Sequence, residues 1–226
     1  MKKYAVIVAG GSGLRMNSNL PKQFMLLNGK TVLWHTLTAF LAAFDDVKII
    51  LVLSAQYIET GQSIIKTLAG SNRITITAGG QTRYQSVKNG LKLVEKDAVI
   101  FVHDGVRCLV TPNLIQRCYE MAVEKGNAVP ATTPVDTLRI ESGNKNEIID
   151  RNKVRIIQTP QTFLGDVLIK AFEQQYDASF TDEAIVVENL GVKINLIEGE
   201  AANIKITSPV DLLLAGKLLE QRTKSN

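Results

Sequence analysis

Only two histidines, His35 and His103, and two cysteines, Cys108 and Cys118, occur in 226 residues. Four such residues at scattered positions assemble no zinc cluster of familiar spacing. The cysteines form neither a CxxC pair nor a disulfide ladder, which suits a reduced, intracellular setting, and both read as buried spacers. No stretch reaches the roughly 18 apolar residues of a membrane span. Lys2-Lys3 resembles a signal n-region, but Gly10-Gly11 breaks the apolar run too early for an h-region. A cytoplasmic location is expected. Aromatics make up 6% of the residues and do not interleave with basic ones, as they would on a single-strand nucleic-acid face. The formal charge of +4 is mild and spread out, so nucleic acid is not an expected partner.

One absence is local. From Met1 to Phe44 the chain carries Lys2, Lys3, Arg15, Lys22 and Lys30, and no Asp or Glu. Within that stretch lies "VIVAGGSGLRMNSNLPKQF", a strand-like run that ends in glycines and then two cations. Gly11-Ser12-Gly13 starts like a dinucleotide fingerprint, but Met16 stands where the third glycine belongs. Gly29-Lys30-Thr31 looks like the end of a P-loop, but Phe24 stands where its first glycine would be. What remains is a small-residue loop whose backbone N–H groups can approach a phosphate. Arg15 can grip phosphate oxygens in a fork and Lys22 can act as a point charge. A polyphosphate cradle fits this balance; a plain glycine turn with solvated cations is the alternative.

Strands and helices alternate over the first half. "YAVIVA", "VKIILVLS", "RITITAGG" and "DAVIFVHD" read as strands, and "TVLWHTLTAFLAAF", "YIETGQSIIKTL" and "TRYQSVKNGLKLVE" as helices. "TPNLIQRCYEMAVEKG" opens with Thr111 as N-cap and Pro112 in its first turn, and stops at Gly126. Continuous apolar strands between amphipathic helices predict an α/β fold, a mostly parallel sheet with helices on both faces. Ligands of such sheets bind at the carboxyl ends of the strands. After Pro130 the pattern becomes alternating and β-rich, with a polar turn near Ser142-Gly143-Asn144, which predicts a hairpin. Helices are expected at "GDVLIKAFEQQY", "TDEAIVVENL" and "SPVDLLLAGKLLEQ", strands at "VKINLIEG" and "ANIKIT", and a frayed tail at "RTKSN". The chain is read as one domain, residues 1–226, with an inserted hairpin at 133–156.

Polar residues gather near the expected strand ends. Asp104 closes the fourth strand, where a carboxylate suits Mg²⁺ or a ribose hydroxyl, or simply caps a turn. His103, inside that strand, reads as a structural histidine, and Met16, Met25 and Trp34 as core. Arg107, Arg151 and Lys205 are cations in short polar contexts that could ring a phosphate-rich cleft with Arg15 and Lys22.

The ordered blocks "AGGSGLRM", "PKQF", "GGQTRYQSV", "HDGVR", "PVDTLR", "DRNKVRIIQTPQTF", "TDEA" and "NIKIT" span nearly the whole chain. Together they resemble the 2-C-methyl-D-erythritol 4-phosphate cytidylyltransferases of the non-mevalonate isoprenoid pathway. The resemblance implies a Rossmann-like nucleotidyltransferase fold, a Mg²⁺-dependent reaction of CTP with a polyol phosphate, and a homodimer with shared active sites, in which residues 133–156 form an arm reaching the partner subunit. It implies that Arg15 and Lys22 bind the triphosphate and stabilise the transition state. Ala9, Gly10 and Gly11 would form the backbone cradle. Gly80, Gln81 and Ser86, with Arg83 among them, would recognise the cytosine, and Asp104 would lie on the ribose and metal side. Arg107, Thr137, Arg151 and Lys205 would contact the methylerythritol phosphate, with Arg151 and Lys205 positioning the attacking phosphate. Two departures stand out: Gln81 replaces the Asp of many relatives, and "HDGVRC" replaces HDAARP. Ribitol 5-phosphate cytidylyltransferase, with the same chemistry on another polyol, and a non-catalytic CTP-binding module remain the alternatives.

Overall fold

The computed structural model describes residues 1–11 and 20–224. The first half builds the sheet: β1 (Lys2–Val8), a short ladder of β2 (Leu26–Leu27) and β3 (Lys30–Thr31), α1 (Val32–Ala43), β4 (Lys48–Leu53), α2 (Ile58–Ile65), β5 (Ile74–Ala78), α3 (Arg83–Leu91), β6 (Ala98–Asp104) and α4 (Pro112–Lys125). The second half adds β7 (Asn127–Thr132), β8 (Leu138–Ser142), β9 (Lys145–Ile149), β10 (Ile156–Ile157), β11 (Gln161–Leu164), α5 (Gly165–Ala171), α6 (Glu183–Glu188), β12 (Leu196–Glu198) and α7 (Pro209–Lys224).

The parallel core runs β6-β1-β4-β5, as the buried apolar strands predict. β11 lies antiparallel between β6 and β7, β10 pairs antiparallel with β7, and β12 pairs parallel with β7. The sequence pattern does not predict β7 and β11. Pro130 sits inside β7, and a cis peptide bond joins Thr159 to Pro160 just before β11. Prolines mask strand patterns because they remove a ladder donor.

Alternation within the strands divides the core. Ala5 and Ile7 of β1 face α1 and α4, packing with Leu37, Phe40, Phe101 and Leu114. Tyr4 and Val6 face α3, α5 and α6, packing with Val87, Phe163 and Val187. Helices thus cover both faces. Fully burying each Val, Leu, Ile or Phe among them contributes about 1.5–3 kcal/mol. A third cluster joins Leu27, Val32, Leu109 and Ile206 to Ala215 of α7.

Helix ends follow local rules. Thr111 accepts the Leu114 N–H at 3.0 Å, and Gly126 ends α4 in the left-handed region at φ 88°. The hairpin β8–β9 turns at Gly143-Asn144, as expected. Three expectations need correction. "ANIKIT" is not a strand: Ile206 N–H donates to Val106 O at 3.0 Å and its side chain is buried, so the segment is tied across strand ends rather than along a sheet edge. "RTKSN" is not wholly frayed, because α7 continues to Lys224. Trp34 is only half-buried, at the margin of the core. Met16 lies outside the described residues, while Met25 packs against the third cluster.

Candidate active site at the carboxyl ends of the central strands

A cleft of about 280 Å³ opens at the carboxyl ends of β1 and β6 and at the loop after β5. Its lining gathers Ala9, Gly10, Gly11, Lys22, Gly80, Gln81, Ser86, Asp104 and Lys205. These positions are far apart in sequence, and the parallel sheet brings their strand ends to one edge.

The glycine loop is held from inside. Ala9 N–H donates to Val52 O at 2.9 Å. Gln23, buried in the turn Lys22–Phe24, donates its amide to Ala9 O at 2.7 Å and Gly11 O at 3.1 Å. Those carbonyls are occupied on the protein side. Lys22 is placed at the cleft because its neighbour Gln23 anchors this turn. Arg15 lies outside the described residues.

The second loop is fixed by α3. Thr82 caps that helix by accepting the Gln85 N–H at 3.1 Å. Gln85 Oε1 accepts the Gln81 N–H at 2.9 Å, and Ser86 Oγ accepts the Gly80 N–H at 3.1 Å. A Cβ on Gly80 would lie 2.4 Å from Gln85 Cβ, so this close approach requires glycine. Ser86 Oγ also donates to Thr82 O at 2.9 Å. Its proton is therefore spent on shaping the loop, and only acceptor capacity remains for a ligand.

Asp104 is the carboxylate lining the cleft among the described residues. Lys205 Nζ stands 2.9 Å from Oδ2, and Arg107 Nε 3.6 Å from the same oxygen. Arg83 Nε and Nη2 each lie 3.4 Å from Oδ1. Burial alone would raise the Asp104 pKa, but Arg83, Lys205 and Arg107 outweigh it and hold the carboxyl well below the usual range. Arg107 donates Nη1 to Asn203 O at 2.9 Å, while its buried Nε makes no hydrogen bond among the described residues. Burial lowers the Arg107 pKa, and Asp104 opposes that. Arg107 thus stands behind Asp104 and does not line the cleft.

Beneath the cleft, Asp104 N–H donates to Thr159 Oγ1 at 3.1 Å, and Thr159 Oγ1 meets His103 Nδ1 at 3.0 Å. His103 is fully buried, and burial pushes its pKa down to about 3. It is a structural histidine, as expected. Cys108 and Cys118 are buried free thiols whose pKa values burial pushes up to about 12.

Glu183 lies in the "TDEA" segment, and its position in the sequence assigns it no role. It is 1% exposed and accepts Arg83 in a two-armed fork, Nη1 at 2.5 Å and Nη2 at 3.0 Å. Burial raises its pKa and Arg83 opposes that. The sequence offers no signal for this pairing, since Glu in a first helical turn is ordinarily a solvated dipole partner.

Thr137 and Arg151 do not line this cleft. Arg151 follows the hairpin and donates to Val135 O. No group of three His, Cys, Asp or Glu side chains that could hold a metal occurs among the described residues. No helix among them is long and apolar enough to cross a membrane.

Residues 4–221 match the model of the 2-C-methyl-D-erythritol 4-phosphate cytidylyltransferase family. The cytidylyltransferase of that name from Bacteroides thetaiotaomicron is 43% identical over 219 residues, covering 97% of this chain and all of the relative. Its counterpart from Porphyromonas gingivalis is 42% identical, covering 96% of this chain and 98% of the relative. The crystal structure of 4-diphosphocytidyl-2C-methyl-D-erythritol synthase from Anaerococcus prevotii superposes with a TM-score of 0.84 at 27% identity, over 97% of this chain and 96% of that one. The chain belongs to the 2-C-methyl-D-erythritol 4-phosphate cytidylyltransferase family.

Proposed function

We infer that the cleft is where this cytidylyltransferase joins CTP to 2-C-methyl-D-erythritol 4-phosphate, giving 4-diphosphocytidyl-2-C-methyl-D-erythritol and diphosphate. A phosphate oxygen of the polyol substrate forms a bond to the α-phosphorus of CTP, and the bond from that phosphorus to the β-phosphate's bridging oxygen breaks. A phosphate monoester has a second pKa of about 6, so the nucleophile is anionic at neutral pH and needs no strong base. The task is to bring anions together and stabilise developing charge. One observation carries the reading: Lys22 and Lys205 converge with the Gly10-Gly11 backbone on a single cleft whose one lining carboxylate among the described residues is Asp104.

In this reading Ala9, Gly10 and Gly11 cradle the triphosphate, and Lys22 and Arg15 meet the charge that develops on it. Gly80, Gln81 and Ser86 face the cytosine, with Gln81 offering an amide where many relatives offer a carboxylate. Asp104 accepts a ribose hydroxyl. Lys205 draws in the methylerythritol phosphate, with Arg107 adding its charge from behind Asp104, and Thr137 and Arg151 complete the same subsite of a partner subunit from residues 133–156. One carboxylate plus nucleotide phosphates suits Mg²⁺, which binds through one or two carboxylates and substrate oxygens. Asp104 would hold it together with CTP. When bound, the ion would neutralise charge on the triphosphate and on the departing diphosphate. With Arg83, Arg107 and Lys205 around Asp104, the ion has little reason to bind before the nucleotide.

The test is diphosphate release from CTP with methylerythritol phosphate and, separately, ribitol 5-phosphate. Turnover with the first and little with the second is expected. The opposite preference would move the protein to ribitol chemistry, and CTP binding without turnover would make it a binding module.

A further inference from the structure

We propose that Glu183 is a positioning residue that keeps one oxygen of Asp104 open for the ribose of the nucleotide by holding Arg83 away from it. The inference rests on the cleft being the CTP site. The two carboxyl oxygens of Asp104 are treated unequally. Oδ2 faces Lys205 at 2.9 Å and Arg107 at 3.6 Å, whereas Oδ1 has Arg83 at 3.4 Å through two nitrogens. Those two contacts lie at the long end for a charge-assisted hydrogen bond. Arg83 is not short of a better partner, because its fork closes on Glu183 at 2.5 and 3.0 Å. Planar guanidinium and carboxylate match in this two-armed geometry, which fixes direction as well as distance.

Glu183 is itself held in place. It opens α6 next to Asp182, which accepts the Ile185 N–H at 3.0 Å with Oδ1 and the Gln161 amide at 2.8 Å with Oδ2. Gln161 Oε1 accepts the Ala184 N–H at 2.8 Å. Gln161 is buried and pairs with Val102, two residues before Asp104 on β6. The helix start carrying Glu183 and the strand end carrying Asp104 are thus pinned to one another through Gln161. The arrangement holds Arg83 at a set distance from Asp104.

Without the Glu183 charge, Arg83 has one anionic partner left within reach, and it would close on Asp104 Oδ1. The oxygen that would accept a ribose hydroxyl is then occupied. Loss of Glu183 should therefore weaken recognition of the ribose rather than of the second substrate. A role in stability alone would not produce that pattern.

The experiment measures binding of CTP, 2′-deoxy-CTP and 3′-deoxy-CTP by calorimetry, without the second substrate, for the unaltered protein, Glu183→Gln, Arg83→Gln and the double variant. Melting temperatures are recorded alongside. The double variant keeps a neutral hydrogen-bonding pair, so it serves where Glu183→Gln fails to fold. The unaltered protein is expected to prefer CTP at least tenfold over one deoxy analogue. Glu183→Gln is expected to narrow that preference to threefold or less, and the preference is expected to return when Arg83→Gln is added. Full preference in Glu183→Gln, or a loss that Arg83→Gln does not relieve, overturns the inference alone. No CTP binding and no CTP-dependent diphosphate release by the unaltered protein overturns the reading of the cleft, and the inference with it.

Discussion

The cleft and the hairpin segment are built on opposite terms. In the cleft, residues from the ends of β1 and β6, the loop after β5 and the segment before α7 meet, and buried partners fix them: Gln23 under the glycine loop, Thr159 under Asp104, Glu183 behind Arg83. On the hairpin, β8 and β9 pair only with each other among the described residues, and Val135, Ile140 and Ile148 are 81, 57 and 68% exposed. A lone two-stranded hairpin is marginal in water, so its apolar side chains call for a surface elsewhere. The contrast suggests a division of labour. In the proposed reading, the nucleotide half of the site is assembled within one chain. Of the residues expected to contact the methylerythritol phosphate, Thr137 and Arg151 ride on an element that has no core of its own, whereas Lys205 belongs to the cleft.

The largest expected effect breaks the cleft side of this contrast. Lys22→Ala should lower kcat by roughly 10²-fold or more while changing the KM for CTP far less, because a contact made chiefly in the transition state is lost. Steady-state kinetics decide it. An unchanged kcat would leave the glycine loop as a binding feature and take Lys22 out of the chemistry.

The next effect tests whether the two regions cooperate across subunits. Lys22→Ala and Arg151→Ala proteins are each expected to be nearly inactive. In a mixed dimer one of the two sites would have both residues intact, so random pairing of equal amounts should return about a quarter of the unaltered activity. Demonstrated heterodimers with no recovery would put Arg151 in its own subunit's site, or in none. A gentler version shortens the hairpin between Leu138 and Ile149 to a two-residue turn. CTP binding should stay within about threefold, since the cleft uses none of those residues, while turnover and the larger oligomeric species disappear together. Loss of CTP binding in that variant would mean that the cleft leans on the hairpin.

The same division governs what could be read from the sequence. The strands β1, β4 and β6 are legible because both faces are buried and their apolar runs are continuous, β5 because its Ile-Thr-Ile-Thr run is β-branched throughout, and the cap at Thr111 follows a local rule. β7 and β11 are hidden by Pro130 and Pro160, and it is long-range pairing, of β11 to β6 and β7 and of β7 to β10 and β12, that makes them strands. In the cleft, Lys22, Asp104 and Lys205 could be named because they are polar residues in turn-like contexts. Gln23, Thr159 and Glu183 could not. Each acts through a partner between 12 and 100 positions away, and no local pattern records a contact of that range. Resemblance supplied the roles that spacing left open.

The smallest effect concerns the underside of the cleft. Thr159 Oγ1 accepts the Asp104 N–H, so its own proton is free to go to His103 Nδ1. His103 Nε2 then carries the ring proton and donates to Arg107 O at 3.2 Å. Every atom in this chain has one role, and a second proton on His103 would set two donors against each other at Thr159. Burial accordingly pushes the histidine down to about 3. An unfolded histidine titrates near 6.5. Between those values the unfolded chain binds more protons than the folded one, so stability is full above pH 6.5 and falls as the pH drops toward 3. One proton sets the slope at about 1.4 kcal/mol per pH unit. Denaturant unfolding at several pH values between 7 and 4.5 should show this slope, and His103→Asn should flatten it by up to that amount. His35, whose pKa burial also lowers, stays in both proteins and cancels in the difference. Equal slopes in the two proteins would mean that His103 titrates alike folded and unfolded. The hydrogen bonds beneath Asp104 would then not set the protonation of His103.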